Sequence, residues 1–381
     1  MTPEAKIYQV RGTTTAPTWA EISHAALKCN IDGIRGRVGP DREIWCAVKA
    51  NAYGHGAVIV SQWLREMGVE GLCVARAHEG QELRDAGIEG PIALLTPFLP
   101  MQAEEVVAAN LEPVVVRHDQ IEALAPLAPS RPIPIHLKFD TGMGRVGTLP
   151  GDALEFARWA AKQPHVKIKG VCSHFPVADE AEKSFSRNQI DRFMGLVREL
   201  RAAGIDFEHE HIANSAAILD LPKSWGSLVR PGIMIYGLAP SPHVSDSVAL
   251  EPVMTLKTRV IQVKHVRAGT GISYGLTWTA PDAAWVASLP IGYADGLPRL
   301  ASNRAEMIVR GRRVSQIGRI CMDMTMLNVT SLDGVEVEDE VVVWGRQGSA
   351  QIHVDEWAAW CETINYEMTT RVGPRVPRIP A

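Results

Sequence analysis

IWCAVKANAYGHGAVIVSQWLREMG, residues 44–68, sets an apolar run, a lysine, a polar cluster and an amphipathic stretch in one short segment. Ile44–Val48 lacks the polar alternation of a strand with one wet face, so it reads as a strand covered on both sides. Lys49 ends that run. Asn51, Tyr53 and His55 follow among small residues, and the stretch from Ala57 to Gly68 reads as a helix. A buried strand followed by a helix, with polar residues at the junction, is the unit from which parallel α/β folds are built.

The unit recurs as far as Gly237. Further strand runs are GLCVAR, IALLT, PVVVR, IPIHLKFD, IKGVCSHF, HEHIANS and SLVRPGIMIYG, with helix candidates between them such as GDALEFARWAAK and SFSRNQIDRFMGLVRELRAAG. The last carries Ile190, Phe193, Leu196, Val197 and Leu200 at helical spacing and ends at Gly204, a suitable C′ residue. Eight such runs predict an α/β fold, an N-terminal (β/α)8 TIM-type barrel over residues 1–245. A doubly wound open sheet stays as the alternative, because periodicity does not show closure. The Pro/Ser-rich connector LAPSPHVSDSVALEP then gives way to β-type texture: MTLKTRVIQVKHV alternates, AEMIVRGRRVSQIG reads as two strands about a turn, and VDEWAAWCETINYEMTTRVG closes with a helix. A mainly β C-terminal domain is expected over 246–381.

Composition narrows the function. The hydrophobic fraction is 46%, the charged fraction 22% and the formal net charge −4, which supplies no broad basic field for nucleic acid. No stretch approaches the roughly 20 apolar residues that span a bilayer, and MTPEAKIYQVRG has no apolar core of a secretory signal. The six cysteines lack zinc or redox spacing, as reduced cytoplasmic thiols would. The sequon at Asn328 is a pattern only, since nothing suggests secretion.

Chemistry in a barrel belongs at the C-terminal ends of the strands. Lys49 ends the first run, Asp140 the fifth and His174 the sixth; Asn214 and Ser215 end the seventh, and Arg230 lies in the eighth. Each alone is an ordinary loop residue. Together in one barrel mouth they point to a site.

AVKANAYGHGA resembles the pyridoxal 5′-phosphate (PLP) lysine motif of the alanine racemases, and KFDTGMGRVG (138–147) a second signature of that family. SHF (173–175), HIANSAA (211–217), VRPGIMIYG (229–237), GISYGLTW (271–278), IGYADG (291–296), GRICMDMTM (318–326) and TINYEMTTRVGPRVPR (363–378) follow in family order, so the similarity runs from about Trp19 to the end. It implies a PLP enzyme interconverting L- and D-alanine, built as a homodimer whose active site is shared between chains. Lys49 then carries the cofactor and moves a proton at Cα, while Tyr274 of the partner chain is the opposing acid/base. Arg230 contacts the pyridine nitrogen and His174 sits beside it. Tyr53, Asn214, Ser215, Gly232, Ile233 and Tyr366 belong to the cofactor pocket, with Gly232 and Ile233 acting through backbone N–H groups. Arg145 and the partner's Met322 N–H take the substrate carboxylate. Lys138 occupies the place where many relatives carry a carbamylated lysine, Tyr293 and Tyr366 narrow the entrance, and Asp323 supports that region.

Rival readings have their own residues. His209 and His211 in HEH share one strand face, as two metal ligands could, with Asp140 and His174 available to join them. The resemblance instead puts His211 on the pocket floor and implies no metal. A PLP-dependent decarboxylase would show a glycine-run phosphate motif and Cys-Asp-Gly, whereas here Cys321 precedes Met322 and Asp323. A PLP-carrier barrel would leave 246–381 without a purpose. A serine or lysine racemase differs by few pocket residues and is separated by assay.

Overall fold

The computed structural model describes residues 15–128 and 131–381. The N-terminal segment read for targeting signals lies outside the described residues. The chain forms two compact units, one of Ala25–Glu251 and one joining the described residues up to His24 with Pro252–Ala381.

The larger unit is the expected barrel. After the strand β1 (Thr18–Ile22) of the other unit, its strands are β2 (Glu43–Ala47), β3 (Gly71–Val74), β4 (Ile92–Leu94), β5 (Glu112–Val115), β6 (Ile133–Lys138), β7 (Val166–Cys172), β8 (His209–His211) and β9 (Leu228–Val229). Every pair from β2 to β8 is parallel, and β9 lies parallel to β2. Between β8 and β9, Ser227 N–H donates to Glu210 O (3.2 Å) and Arg230 N–H to Ala213 O (3.0 Å), which nearly closes the ring. The open-sheet alternative is thereby set aside. Gly71–Val74 is buried at every position, the pattern of a strand with a helix outside and a packed barrel within.

Helix ends follow local chemistry. Ser184–Ala202 stops where Gly204 takes φ 77°, with Ile205 N–H donating to Leu200 O and Gly204 N–H to Arg201 O. That pair of bonds satisfies carbonyls the helix leaves open.

The second unit is mainly β. Its sheet runs Gln262–Val266, Ala284–Leu289, Thr325–Asn328, Arg312–Ile317, Glu306–Val309, Glu340–Gln347, Met254–Arg259, β1, Arg378–Pro380. Met254–Arg259 alternates buried and half-buried residues, so one face meets a core and the other does not. Trp357 is fully buried beneath this sheet, its indole N–H donating to Val343 O at 2.8 Å.

Two expectations are refined. Thr18–Ile22 falls within 1–245, yet it pairs antiparallel with Met254–Arg259 and parallel with Arg378–Pro380. Its partners lie more than two hundred residues away, beyond any local pattern. The closing helix is two short ones, Val354–Trp360 and Asn365–Thr370, because Glu362 between them adopts φ 54°.

Candidate active site

Lys49 directly follows β2 and opens a turn of unusual hand. Ala50, Asn51, Ala52 and Tyr53 have φ of 52, 54, 53 and 52°. Left-handed backbone costs a non-glycine residue roughly 1–2 kcal/mol, so four in a row need clamps. Glu79 supplies one: Oε1 accepts from Ala50 N–H at 2.7 Å, and Oε2 from Ala75 and Arg76 N–H at 2.7 and 3.0 Å. Asn51 Oδ1 accepts from Ala57 N–H at 2.7 Å. His55 Nδ1 lies 3.0 Å from the carbonyls of both Ala52 and Tyr53, so that nitrogen carries the hydrogen. The His55 ring stacks on Tyr236 at 4.3 Å, and the Tyr236 hydroxyl donates to Ala47 O at 2.8 Å. The lysine is thus aimed by rigid backbone. Burial, and then the Arg145 cation, pull its ammonium below the ordinary lysine value.

Arg230, following β9, is buried and forms no ion pair with a carboxylate among the described residues. Nη1 donates to His211 Nδ1, and Nη2 to Ser173 O at 2.8 Å, with His174 Nδ1 and Ile212 O at 3.4 Å. Its Nε–H makes no hydrogen bond to any described residue. Burial, and then the Arg230 charge, push His174 and His211 well below the usual histidine range, so both are neutral. Behind His211 stand His136, 2.9 Å away, and Glu112, 3.1 Å beyond it.

Asp140 organises the loop after β6. Its Oδ1 accepts from the N–H groups of Gly142, Met143 and Gly144 at 3.0, 2.8 and 3.0 Å. The loop carries Arg145, which is exposed and forms no ion pair among the described residues. Lys138 is buried, and desolvation holds its amine below the ordinary lysine value, with Arg230 and Arg145 adding to that against the opposing Cys172.

Tyr53, Ser215 and Gly232 meet beyond this. Ser215 Oγ accepts from Gly232 N–H at 2.8 Å and Met234 N–H at 3.4 Å, while Asn214 caps the following helix through Ala217 N–H at 3.1 Å. A Cβ at Gly232 would stand 2.6 Å from Tyr53 Oη, so glycine alone allows the phenol this close to the backbone. Ile233 is fully buried in the turn that follows. Hydroxyls and backbone N–H groups gather here, the kind of donors an anion requires.

The second unit carries the remaining predicted residues. Tyr274 is 72% exposed and Met322 53%. Their loops are tied together: Ser273 Oγ donates to Arg319 O at 2.7 Å, and Tyr293 N–H to Cys321 O at 3.0 Å. Asp323, next to Met322 in the chain, pairs with Arg375 at 2.8 Å. Tyr366 is half-buried on Asn365–Thr370.

The arrangement fits a PLP-like ligand. A guanidinium with one uncommitted N–H suits a ring nitrogen, an anion-accepting corner suits a phosphate, and a lysine of lowered basicity suits a carbonyl. Sequence reasoning missed Glu79, His55 and Tyr236 behind the lysine and Glu112 and His136 behind the arginine. Behind the arginine, the sequence signal was His136 two residues before Lys138, hence on the same strand face. Around His209 and His211, as elsewhere among the described residues, no group of three or more His, Cys, Asp or Glu side chains is placed to hold a metal ion.

The family model described as alanine racemase, N-terminal domain, matches residues 22–240, and that of the alanine racemase C-terminal domain matches 253–380. An alanine racemase of Desulforamulus reducens is 45% identical over 367 residues, covering 95% of this chain and 98% of that protein. Among solved structures, an alanine racemase of Clostridium difficile superposes with a TM-score of 0.91 at 34% identity, covering 96% of each chain. One from D-cycloserine-producing Streptomyces lavendulae gives 0.91 at 36%, covering 97% of this chain and 98% of that one.

Proposed function

We propose a division of labour from one premise: this chain belongs to the alanine racemase family and is an isomerase that racemises alanine. The cofactor is pyridoxal 5′-phosphate, held by Lys49. When bound, that group supplies the electron sink that makes the alanine Cα–H acidic enough to exchange.

The residues of this chain do the rest. The Lys49 amine, made less basic by burial and Arg145, takes or returns a proton on one face of Cα. Tyr274 of a second copy serves the opposite face, so inversion needs two bases rather than one that swings. Its exposure, with that of Leu276 (64%) and Met324 (48%), supports a surface completed by a homodimer. Arg230 offers Nε–H to the ring nitrogen; a guanidinium donates a hydrogen bond but keeps its proton, so that nitrogen stays unprotonated. With its ring nitrogen so held, the group would be a weaker electron sink, which would favour return of the proton to Cα. His174 and Asn214 flank the cofactor, and Tyr53, Ser215, Gly232, Ile233 and Tyr366 hold its phosphate. Arg145 and the Met322 N–H of the second copy take the alanine carboxylate, with Lys138 behind Arg145.

The uncommitted Nε–H of a buried Arg230, within electrostatic reach of Lys49, carries this reading. Lys49→Ala should abolish racemisation and the visible absorbance of the bound cofactor. A purified Lys49→Ala protein that borohydride still links covalently to PLP would overturn it. The serine- or lysine-racemase and decarboxylase alternatives find no favour among the relatives, and a chiral assay across amino acids tests them. The product supplies D-alanine for peptidoglycan, and we place the enzyme in the cytoplasm. All six cysteines are free thiols, as a reducing compartment keeps them, and no helix among the described residues is long and apolar enough to cross a membrane.

A further inference from the structure

The histidines of HEH belong to a chain of hydrogen bonds whose direction is fixed. Arginine can only donate, so His211 Nδ1, facing Arg230 Nη1, carries a lone pair. A neutral His211 then holds its hydrogen on Nε2, pointing at His136 Nδ1 at 2.9 Å. Two nitrogens that face each other share one hydrogen, so His136 Nδ1 accepts. The hydrogen of His136 is left on Nε2, which faces Glu112 Oε2 at 3.1 Å. Lys169 Nζ, 2.6 Å from Glu112 Oε1, completes the line. Although burial opposes it, the bonds from His136 and Lys169 keep the Glu112 carboxyl below the ordinary glutamate value, in its accepting form.

The surroundings are built for this. His136 is fully buried, with Trp45 edge-on to its ring at 5.6 Å and the His209 ring parallel to it at 6.5 Å. A Cβ at Gly170 of β7 would strike the His136 ring, so the glycine makes its room. A buried guanidinium with no anion at hand is costly, and the carboxylate two imidazoles away is itself paired with Lys169, so what reaches Arg230 along this line is a fixed hydrogen-bond direction. A carboxylate in direct contact would take two N–H groups of the fork. The relay takes only Nη1.

We propose that Glu112 is a positioning residue for racemisation: through His136 it sets the His211 tautomer, and so holds the Arg230 guanidinium with Nε–H free for the cofactor ring. This rests on the placement of Arg230 at the ring nitrogen.

Two measurements test it. In 15N-histidine-labelled protein, long-range 1H–15N correlation should show His136 and His211 neutral with hydrogen on Nε2; a cationic ring, or hydrogen on Nδ1, in either would overturn the relay. Glu112→Gln presents an acceptor to His136 or to Lys169 but not to both. It should shift the His211 signals and the visible spectrum of the bound cofactor. It should also lower kcat on the order of tenfold or more, with little change in KM, as misorientation does. Lys169→Met leaves the carboxylate facing His136 and should keep spectrum and tautomers. A folded Glu112→Gln enzyme with wild-type kcat and cofactor spectrum would overturn the role, and so would equal effects from the two variants. Failure of the Arg230 placement shows separately: Arg230→Lys would leave the cofactor spectrum unmoved while the two tautomers stand.

Discussion

Glu79 and Ala50 are joined by a 2.7 Å hydrogen bond, carboxylate to backbone N–H, across the left-handed turn behind Lys49. The same carboxylate serves Ala75 and Arg76, so Glu79→Ala strips three donors at once. Water reaches two of the sites, so the expected cost is about 2 kcal/mol rather than three full desolvation penalties. Glu82→Ala, an exposed change on the helix Ala77–Asp85 that also carries Glu79, should stay within about 0.5 kcal/mol. Turnover should fall with Glu79→Ala as the turn relaxes and Lys49 loses its aim. Equal denaturation midpoints and turnover for the two variants would remove the clamp from the account.

His174 and His211 make stability depend on pH in a definite direction. Burial, then the Arg230 charge, keeps both neutral in the fold well below the ordinary histidine value of ~6.5, at which the unfolded chain takes up protons. Below that pH the unfolded state binds more protons, so stability falls as pH falls. Each histidine contributes up to about 1.4 kcal/mol per pH unit, so the pair accounts for roughly 2–3 kcal/mol between pH 6 and 5. Urea unfolding at pH 7, 6 and 5 reads the slope. His211→Gln should remove one histidine's share, and a wild-type curve flat over this range contradicts neutral burial.

What the sequence showed and what it hid divide by the range of the interactions. Each barrel strand was visible as an apolar run because both its faces are covered, and Gly204 marked a helix end through a purely local bond pattern. Lys49, Arg230 and Ser215 could be placed at strand ends for the same reason. The left-handed turn was invisible: nothing in KANAY requires it, and its clamp Glu79 lies on the next β/α unit. The path from Glu112 through His136 to His211 crosses three strands, and only the closed barrel sets those side chains against one another. β1 was assigned by proximity along the chain, whereas its pairing is decided by strands near the far end.

Tyr274 should act in trans. Lys49→Ala and Tyr274→Phe are each expected to be nearly inactive. A mixed dimer holds one site lacking both groups and one with both intact. Random re-pairing of equal amounts should therefore restore about a quarter of wild-type activity. No recovery after proven subunit exchange would place Tyr274 in the same chain as its lysine. In the Tyr274→Phe homodimer, deuterium exchange at Cα should slow more from L-alanine than from D-alanine, and equal slowing would count against bases on opposed faces.

Gly232→Ala isolates the phosphate corner. The new methyl would stand 2.6 Å from Tyr53 Oη and 3.3 Å from its Cζ. Tyr53 is buried, with its ring 5.0 Å from Tyr236, and must shift to make way. Overpacking of this kind costs about 1–3 kcal/mol, so the variant should fold. The displaced phenol and a crowded Gly232 N–H should raise the Kd for PLP by at least about tenfold, near 1.4 kcal/mol. Tyr53→Phe removes the atom in closest conflict, so Gly232→Ala/Tyr53→Phe should bind PLP more tightly than the sum of the two single losses allows. Strict additivity in fluorescence titration would mean that the methyl acts elsewhere, and that the close approach of Tyr53 to Gly232 does not shape the cofactor site.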